Sequence, residues 1–297
     1  MKLFFKRYYK LIGISVMMIA GLSLLLYPLM ANTWNNHVQS TLVNDYETAV
    51  SNSIQKGKID ILGELEKADG YNEELLPSIL PDSFAEAEAN GVDEKYMSIL
   101  NANGDGIMGY IQIPSINVKL PIFHTTDEEV LQIGVGHLEG SSLPVGGPST
   151  HSVLSAHRGL PSATLFTDLD KVELGDEFYI ILMDVHFAYE VDSIDVVDPD
   201  DTSLLAVEEG KDLCTLITCT PYGVNTQRLM VRGHRVPFVP TFLAEAETPT
   251  FGSVSLHSNY LLWVIVGLSI VALFSLSLFV IDKRISKRGA AIEAGNN

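Results

Sequence analysis

The sequence predicts a mostly β domain, a barrel or a sandwich over residues 104–240, exported and tethered to a membrane by an apolar helix at each end. Three observations lead there. Seven short segments rich in branched, aromatic and apolar residues (108–113, 118–123, 152–156, 177–182, 187–197, 213–219 and 229–231) are separated by Gly, Pro, Asn or Asp. Two apolar runs, residues 11–31 and 260–281, are each long enough to cross a hydrocarbon core of about 30 Å as a helix. Basic residues flank these runs on their terminal sides, Lys2, Lys6, Arg7 and Lys10 before the first and Lys283, Arg284, Lys287 and Arg288 after the second. Such asymmetry puts both termini in the cytoplasm and everything between them outside.

The first run has the basic start of a secretory signal. Its apolar length exceeds an ordinary signal core, and Leu29-Met30-Ala31 is a poor small-x-small cleavage site, so an uncleaved anchor is expected. Residues 1–10 and 282–297 are then short cytoplasmic tails, with Tyr260 and Trp263 as interface anchors of the second span.

Residues 32–259 carry 11 of the 19 Lys and Arg but 35 of the 37 Asp and Glu, a formal charge of −24. A surface so anionic excludes nucleic acid as a partner. Residues 32–68 read as helix, with Val43, Tyr46, Val50, Ile54, Ile59, Leu62 and Leu65 tracing a loose apolar face and Asp69-Gly70 as its stop. Residues 71–103 are a long acidic linker, and loops of that length usually have a use. Within it, Asp82 and Phe84 are two apart, so an extended backbone turns both side chains the same way. In the β region, residues 127–133 and 164–169 look like short helices with Asp127 and Thr164 as caps, and residues 241–259 connect back to the membrane.

Chemistry concentrates in residues 214–235, CTLITCTPYGVNTQRLMVRGHR. A strand candidate ends at Cys219, Pro221 and Gly223 mark a turn, and Arg228 opens the next strand. Two antiparallel neighbours joined this way bring a thiol and a guanidinium onto adjacent strands. Cys214, five positions from Cys219, faces the other side, which argues against an intrastrand disulfide or a shared metal and suits plain core. A thiol nucleophile needs a base or ion-pair partner. His157 in Ser155-Ala156-His157-Arg158-Gly159, at the end of a strand and the start of a Gly/Pro loop, is the most suggestive histidine, although composition alone leaves His137 and His151 open. Ser155 beside His157 lacks the nucleophile elbow of a serine hydrolase. No cofactor or metal is expected: there is no dense His/Cys/Asp cluster and no Gly-rich phosphate loop after a strand.

Thr215-Leu216-Ile217-Thr218-Cys219 resembles the TLxTC signature of the sortases. The flanking Thr220-Pro221-Tyr222-Gly223-Val224-Asn225-Thr226, then Arg228 and Arg232-Gly233, are similar to the pilus-specific class C branch, as are residues 134–140 and 152–159. The resemblance covers residues 109–235, and the two spans and intervening linker suit class C architecture. It implies a closed, eight-stranded sortase-type barrel with short helices, Cys219 as nucleophile, His157 as proton exchanger and Arg228 as the residue that orients substrate and steadies the oxyanion. Asp82-Ser83-Phe84 resembles the family's lid, in which an Asp approaches the catalytic Arg and an aromatic covers the thiol; here Ser83 stands where Pro is often found, and Phe84 in place of Trp. The implied reaction is transpeptidation. Cys219 attacks the Thr-Gly bond of an LPxTG-like motif, and a pilin lysine amine resolves the thioester. Alternatives within the family are attachment of proteins to peptidoglycan, or release to water as in a thiol protease. A non-enzymatic pilin or adhesin should carry its own sorting motif before the last apolar run, and residues 245–252, EAETPTFG, lack one.

Overall fold

The computed structural model describes residues 2–75, 82–84, 93–240, 265–274 and 276–277. Eight strands close into one barrel: β1 (Ile107–Ile113), β2 (Val118–His124), β3 (Val135–His137), β4 (Thr150–Ser155), β5 (Glu177–Leu182), β6 (Val185–Val197), β7 (Asp212–Thr220) and β8 (Gln227–Val236). Their order around the wall is β1-β2-β3-β4-β7-β8-β6-β5, with β5 returning to β1. Closure decides between the two β architectures the sequence allowed, and it leaves no unpaired sheet edge among the described residues. Six of the seven segments are strands within one or two residues of the expected bounds; the last, 229–231, grows outwards into β8, which pairs with β6 along most of its length.

One strand lay outside the seven expected segments. β3 is three residues long with a glycine at its centre, so it has no alternating signal to detect. Gly136 is required there, because a Cβ would stand 2.4 Å from the carbonyl oxygen of Thr125. A short helix, α4 (Glu128–Leu131), leads into β3, within the stretch expected to be helical. Residues 164–169 instead form turns followed by a 3-10 turn at Leu169–Lys171. The reason is local: Leu165 is left-handed at φ 42°, which breaks a right-handed helix at its second residue.

The chain forms two compact units, one of Met1–Met30 with Ser255–Asn297 and one of Ala31–Val254. Helix α1 runs Lys2–Gln55, and it is the one helix among the described residues long and apolar enough to cross a membrane. In the first unit, an apolar helix at Ile265–Phe274 is the described part of the second expected span. A Cβ on its Gly267 would lie 3.5 Å from the Leu25 side chain, an ordinary helix-to-helix approach. The expected connector at 241–259 and tail at 282–297 lie outside the described residues.

In the second unit the expected helix over 32–68 is broken in two. α1 stops at Gln55 because Gly57, at φ 61°, takes the left-handed cap: the Gly57 amide donates to the Ile54 carbonyl and the Lys58 amide to that of Ser53, both at 2.9 Å. α2 (Ile61–Glu74) restarts at Asp60, whose carboxylate accepts from the Gly63 amide at 3.1 Å, and it continues through Asp69-Gly70. Both helices dock on the barrel. Val43, Tyr46 and Val50 are buried on one side of α1, and the Tyr46 hydroxyl donates to the Met108 carbonyl (2.7 Å) while accepting the Met183 amide (3.0 Å). From α2, Asn72 accepts from the Leu143 amide (2.7 Å) and donates to the Leu143 carbonyl (3.2 Å), which also accepts from the Val145 amide (2.8 Å), so the loop is tied to the helix through its backbone.

Strand alternation sorts the barrel wall into two faces. Cys214, Leu216 and Val231 belong to the main core with Phe178 and Tyr189, whose rings stack at 5.4 Å. Val153, Ile217 and Met230 point outwards and form a second apolar cluster with Leu138 and Leu205. This outer patch lies directly beside the expected thiol.

Candidate functional site

β7 and β8 are antiparallel, and Cys219 is paired with Arg228 across them, as the turn at residues 221–226 led the sequence to expect. β4 runs parallel to β7 on the other side, with Ser155 level with Ile217. Two residues further on each strand, His157 comes level with Cys219. The pairing persists past the end of β4: the Ala156 amide donates to the Ile217 carbonyl (3.2 Å), and Thr218 Oγ1 donates to the Ala156 carbonyl (2.8 Å). Thiol, imidazole and guanidinium therefore come from three adjacent strand ends at one rim of the barrel. Neither alternative histidine is at this rim. His137 lies fully buried against Tyr96, and His151 bonds Thr215 further down β7.

The Asp82-Ser83-Phe84 segment lies over this rim. Arg228 Nε donates to Asp82 Oδ1 at 2.8 Å and Nη2 to Oδ2 at 2.5 Å, a two-pronged pair with both side chains largely out of solvent. The third nitrogen, Nη1, donates to the Gln227 carbonyl at 3.2 Å and to the Asn225 carbonyl at 3.3 Å, which anchors the guanidinium to its own turn. The Phe84 ring centroid is 5.6 Å from that of His157 and 5.1 Å from the Arg228 guanidinium carbon. Its edge packs on the outer apolar cluster. Asp82 and Phe84 thus reach the same site, although from a turn at residues 83–84 and not from the extended backbone expected.

Cys219 is buried beneath these groups, and burial pushes its thiol above the ordinary range. The Arg228 charge pulls it back down, while the Asp82 carboxylate pushes it up again. Of these influences the anion comes from the 82–84 segment and the cation from the barrel wall. Cys214 has no comparable surroundings: it is wholly buried in the core and its thiol is held well above the usual range by desolvation. Both cysteines are free.

Four further residues at the site were not singled out as partners in the sequence. Glu128, from α4, meets His157 Nε2 with Oε2 at 3.3 Å while Oε1 accepts from Gln132 Nε2 at 3.0 Å. The hydroxyls of Ser83 and Ser155 are buried with no hydrogen-bond partner among the described residues. Arg158, next to His157, braces the loop that follows, donating to the Thr167 carbonyl, to Thr220 Oγ1 at 3.2 Å and to the Asp170 carboxylate. Among the described residues no group of three or more His, Cys, Asp and Glu converges as a metal site.

Residues 111–236, nearly the whole barrel, match the model of the Sortase domain. Among solved structures, sortase C-1 of Actinomyces oris is 47% identical with a TM-score of 0.57, covering 60% of this chain and 100% of its own. Sortase C of Streptococcus pneumoniae, a structure described for its insights into catalysis and pilin substrate specificity, is 40% identical with a TM-score of 0.59, covering 67% of this chain and 97% of its own. The chain belongs to the sortase family, in its class C branch. Sortase D of Bacillus subtilis is 36% identical over 131 residues, 43% of this sortase and 63% of the relative. The match thus spans less than two thirds of that curated relative.

Proposed function

We propose that this sortase is a membrane-anchored cysteine transpeptidase that polymerises pilins. One observation carries the reading: Cys219 and Arg228 are paired across β7 and β8, His157 follows the end of the adjacent β4, and the 82–84 segment bonds the Arg through Asp82 and packs Phe84 on the His. Cys219 is the nucleophile, His157 the proton carrier and Arg228 the residue that orients the substrate carbonyl and stabilises its developing negative charge. Asp82 and Phe84 form the lid.

The reaction proceeds in two balanced halves. The Cys219 sulfur, as thiolate, attacks the Thr carbonyl of an LPxTG-like motif; a C–S bond forms, the Thr-Gly C–N bond breaks, and protonated His157 delivers its proton to the departing glycine amine. A pilin lysine then enters as an ammonium and loses a proton to His157. The free amine attacks the thioester, a C–N isopeptide bond forms, the C–S bond breaks, and the second amine proton goes to solvent as the thiolate is regenerated. The closed lid suits this sequence, because water competes with the amine for the thioester and a covered, protonated thiol is idle until substrate arrives. Opening lowers the thiol's proton affinity and frees the Arg228 fork in the same movement.

The outer apolar cluster of Val153, Ile217 and Met230 supports binding of an extended, partly apolar peptide beside Cys219 once Phe84 leaves. Two spans, formed by residues 11–31 and 260–281, keep both termini cytoplasmic and confine the enzyme to the same surface as its membrane-bound precursors, which raises their encounter frequency. Incubation with a purified pilin precursor distinguishes the family's outcomes. Covalent ladders joined through a lysine support polymerisation; a single conjugate to a peptidoglycan amine, or only the free cleaved acid, would replace it with wall attachment or hydrolysis.

A further inference from the structure

His157 has two neighbours among the described residues that hold its ring: Phe84, on the covering segment, and Glu128, on the barrel itself. If residues 82–84 withdraw, the first is lost and the second stays. Glu128 is well built for that task. Its Oε1 is tied by Gln132 one helical turn on, so its Oε2 is aimed at the imidazole, and it is fixed to the loop between β2 and β3 that enters the wall. Hydrogen bonding by Gln132, helped by the His157 charge, outweighs partial burial and holds the Glu128 carboxyl below its usual range, so it remains an acceptor. A carboxylate can only accept; the Nε2 atom that faces it must therefore carry the hydrogen.

We propose that Glu128 is a positioning residue: it holds His157 by an Nε2–H donor bond when the lid is open, fixing the tautomer whose Nδ1 exchanges protons at the reacting centre. A neutral imidazole has one donor and one acceptor nitrogen, and a partner that claims the donor decides which nitrogen is the base. The arrangement is a nucleophile, a base and an orienting third group. The orienting contact differs from the lid contacts in being permanent. Because Glu128 is mostly exposed, with a side chain 68% accessible, its effect is modest.

The inference rests on the proton-carrying role proposed for His157, and its test separates the two. The full chain in detergent, labelled with 15N-histidine, is examined above the titration of His157, whose ring signals are identified by their loss in His157→Gln. Nε2 is expected to bear the hydrogen in the wild type and also in Asp82→Ala, where the lid is released, and this bias is expected to collapse in Glu128→Gln. Turnover in Glu128→Gln should fall about two- to five-fold in kcat, the range of an exposed ion pair, with KM for the sorting peptide unchanged. A hydrogen on Nδ1 in the wild type, loss of the bias in Asp82→Ala, or its survival in Glu128→Gln would overturn the inference. Circular dichroism of Glu128→Gln separates loss of orientation from loss of fold, and the wild-type and Asp82→Ala spectra test the claim without that variant. If Cys219 is never acylated the catalytic reading fails, yet the ring tautomer still reports whether Glu128 orients His157.

Discussion

Replacing Asp82 by alanine is expected to unlatch the site. The wild-type segment is held by two charge-assisted bonds, Nε–Oδ1 at 2.8 Å and Nη2–Oδ2 at 2.5 Å, between side chains only 9% and 14% exposed, so solvent screens them little. Hydrogen bonds to charged groups contribute about 1.5–3 kcal/mol net. Loss of the latch therefore shifts the closed-to-open balance by about 10- to 150-fold. Arg228 keeps its two carbonyl acceptors in the turn, so the barrel wall has no reason to collapse. The assay is alkylation of Cys219 by a small thiol reagent, read by intact mass; Cys214, fully buried, stays unmodified in the folded protein. A second signature follows from electrostatics. Asp82 raises the Cys219 pKa, so the Asp82→Ala labelling curve should also move to lower pH, with more thiolate at a given pH. Alkylation of Asp82→Ala at the wild-type rate, with an unmoved pH curve, would refute the latch.

The other predictions use the same surroundings. Ser83→Ala removes a hydroxyl that is buried without a partner among the described residues, a group that costs about 1–3 kcal/mol to bury, so the closed segment should tighten and alkylation should slow by about five-fold or more; faster alkylation would show that Ser83 holds the cover in place. Arg228→Lys keeps the charge but loses the fork that grips Asp82 and presents two donors, and kcat/KM for a sorting peptide should fall about 100-fold, as for loss of an oxyanion donor; near-normal turnover would remove Arg228 from that role. His137 is buried, and desolvation holds its pKa at about 4 against the ordinary 6.5. The folded state then binds fewer protons than the unfolded one between those values, so stability present above pH 6.5 is lost progressively down to about pH 4, by about 3 kcal/mol. Thermal melts of His137→Asn across that window should show a shallower acid decline than the wild type; equal slopes would contradict the assignment.

What was legible in the sequence was whatever local chemistry dictates. The strand run into Cys219, the turn after it and the return through Arg228 follow from branched residues bounded by Pro and Gly, and their register brings the two side chains together without further help. The spacing of Asp82 and Phe84 pointed to one site, but the two side chains reach it from a turn at residues 83–84 and not from the extended chain that was expected. The hidden parts depend on contacts distant in the chain. β3 forms because β2 and β4 flank it and its glycine fits under Thr125, not because three residues prefer to be extended. The helix expected at residues 164–169 is broken where Leu165 takes a left-handed backbone. The break at Gly57, by contrast, was readable as a left-handed cap followed by Asp60, but Asp69-Gly70 offered a similar signal further on and α2 overrides it by packing Ala68 against the barrel. Glu128 was out of reach for another reason: nothing local to an exposed glutamate in a short helix reveals the histidine 29 residues later.

The most direct test is mass spectrometry of the protein quenched in acid during incubation with a peptide carrying an LPxTG-like motif. The account predicts an added mass equal to the peptide up to its threonine, mapped to Cys219, lost on treatment with hydroxylamine and absent from Cys219→Ala. Cleavage of the peptide that proceeds unchanged in Cys219→Ala, or an acyl group mapped to any other side chain, would contradict it.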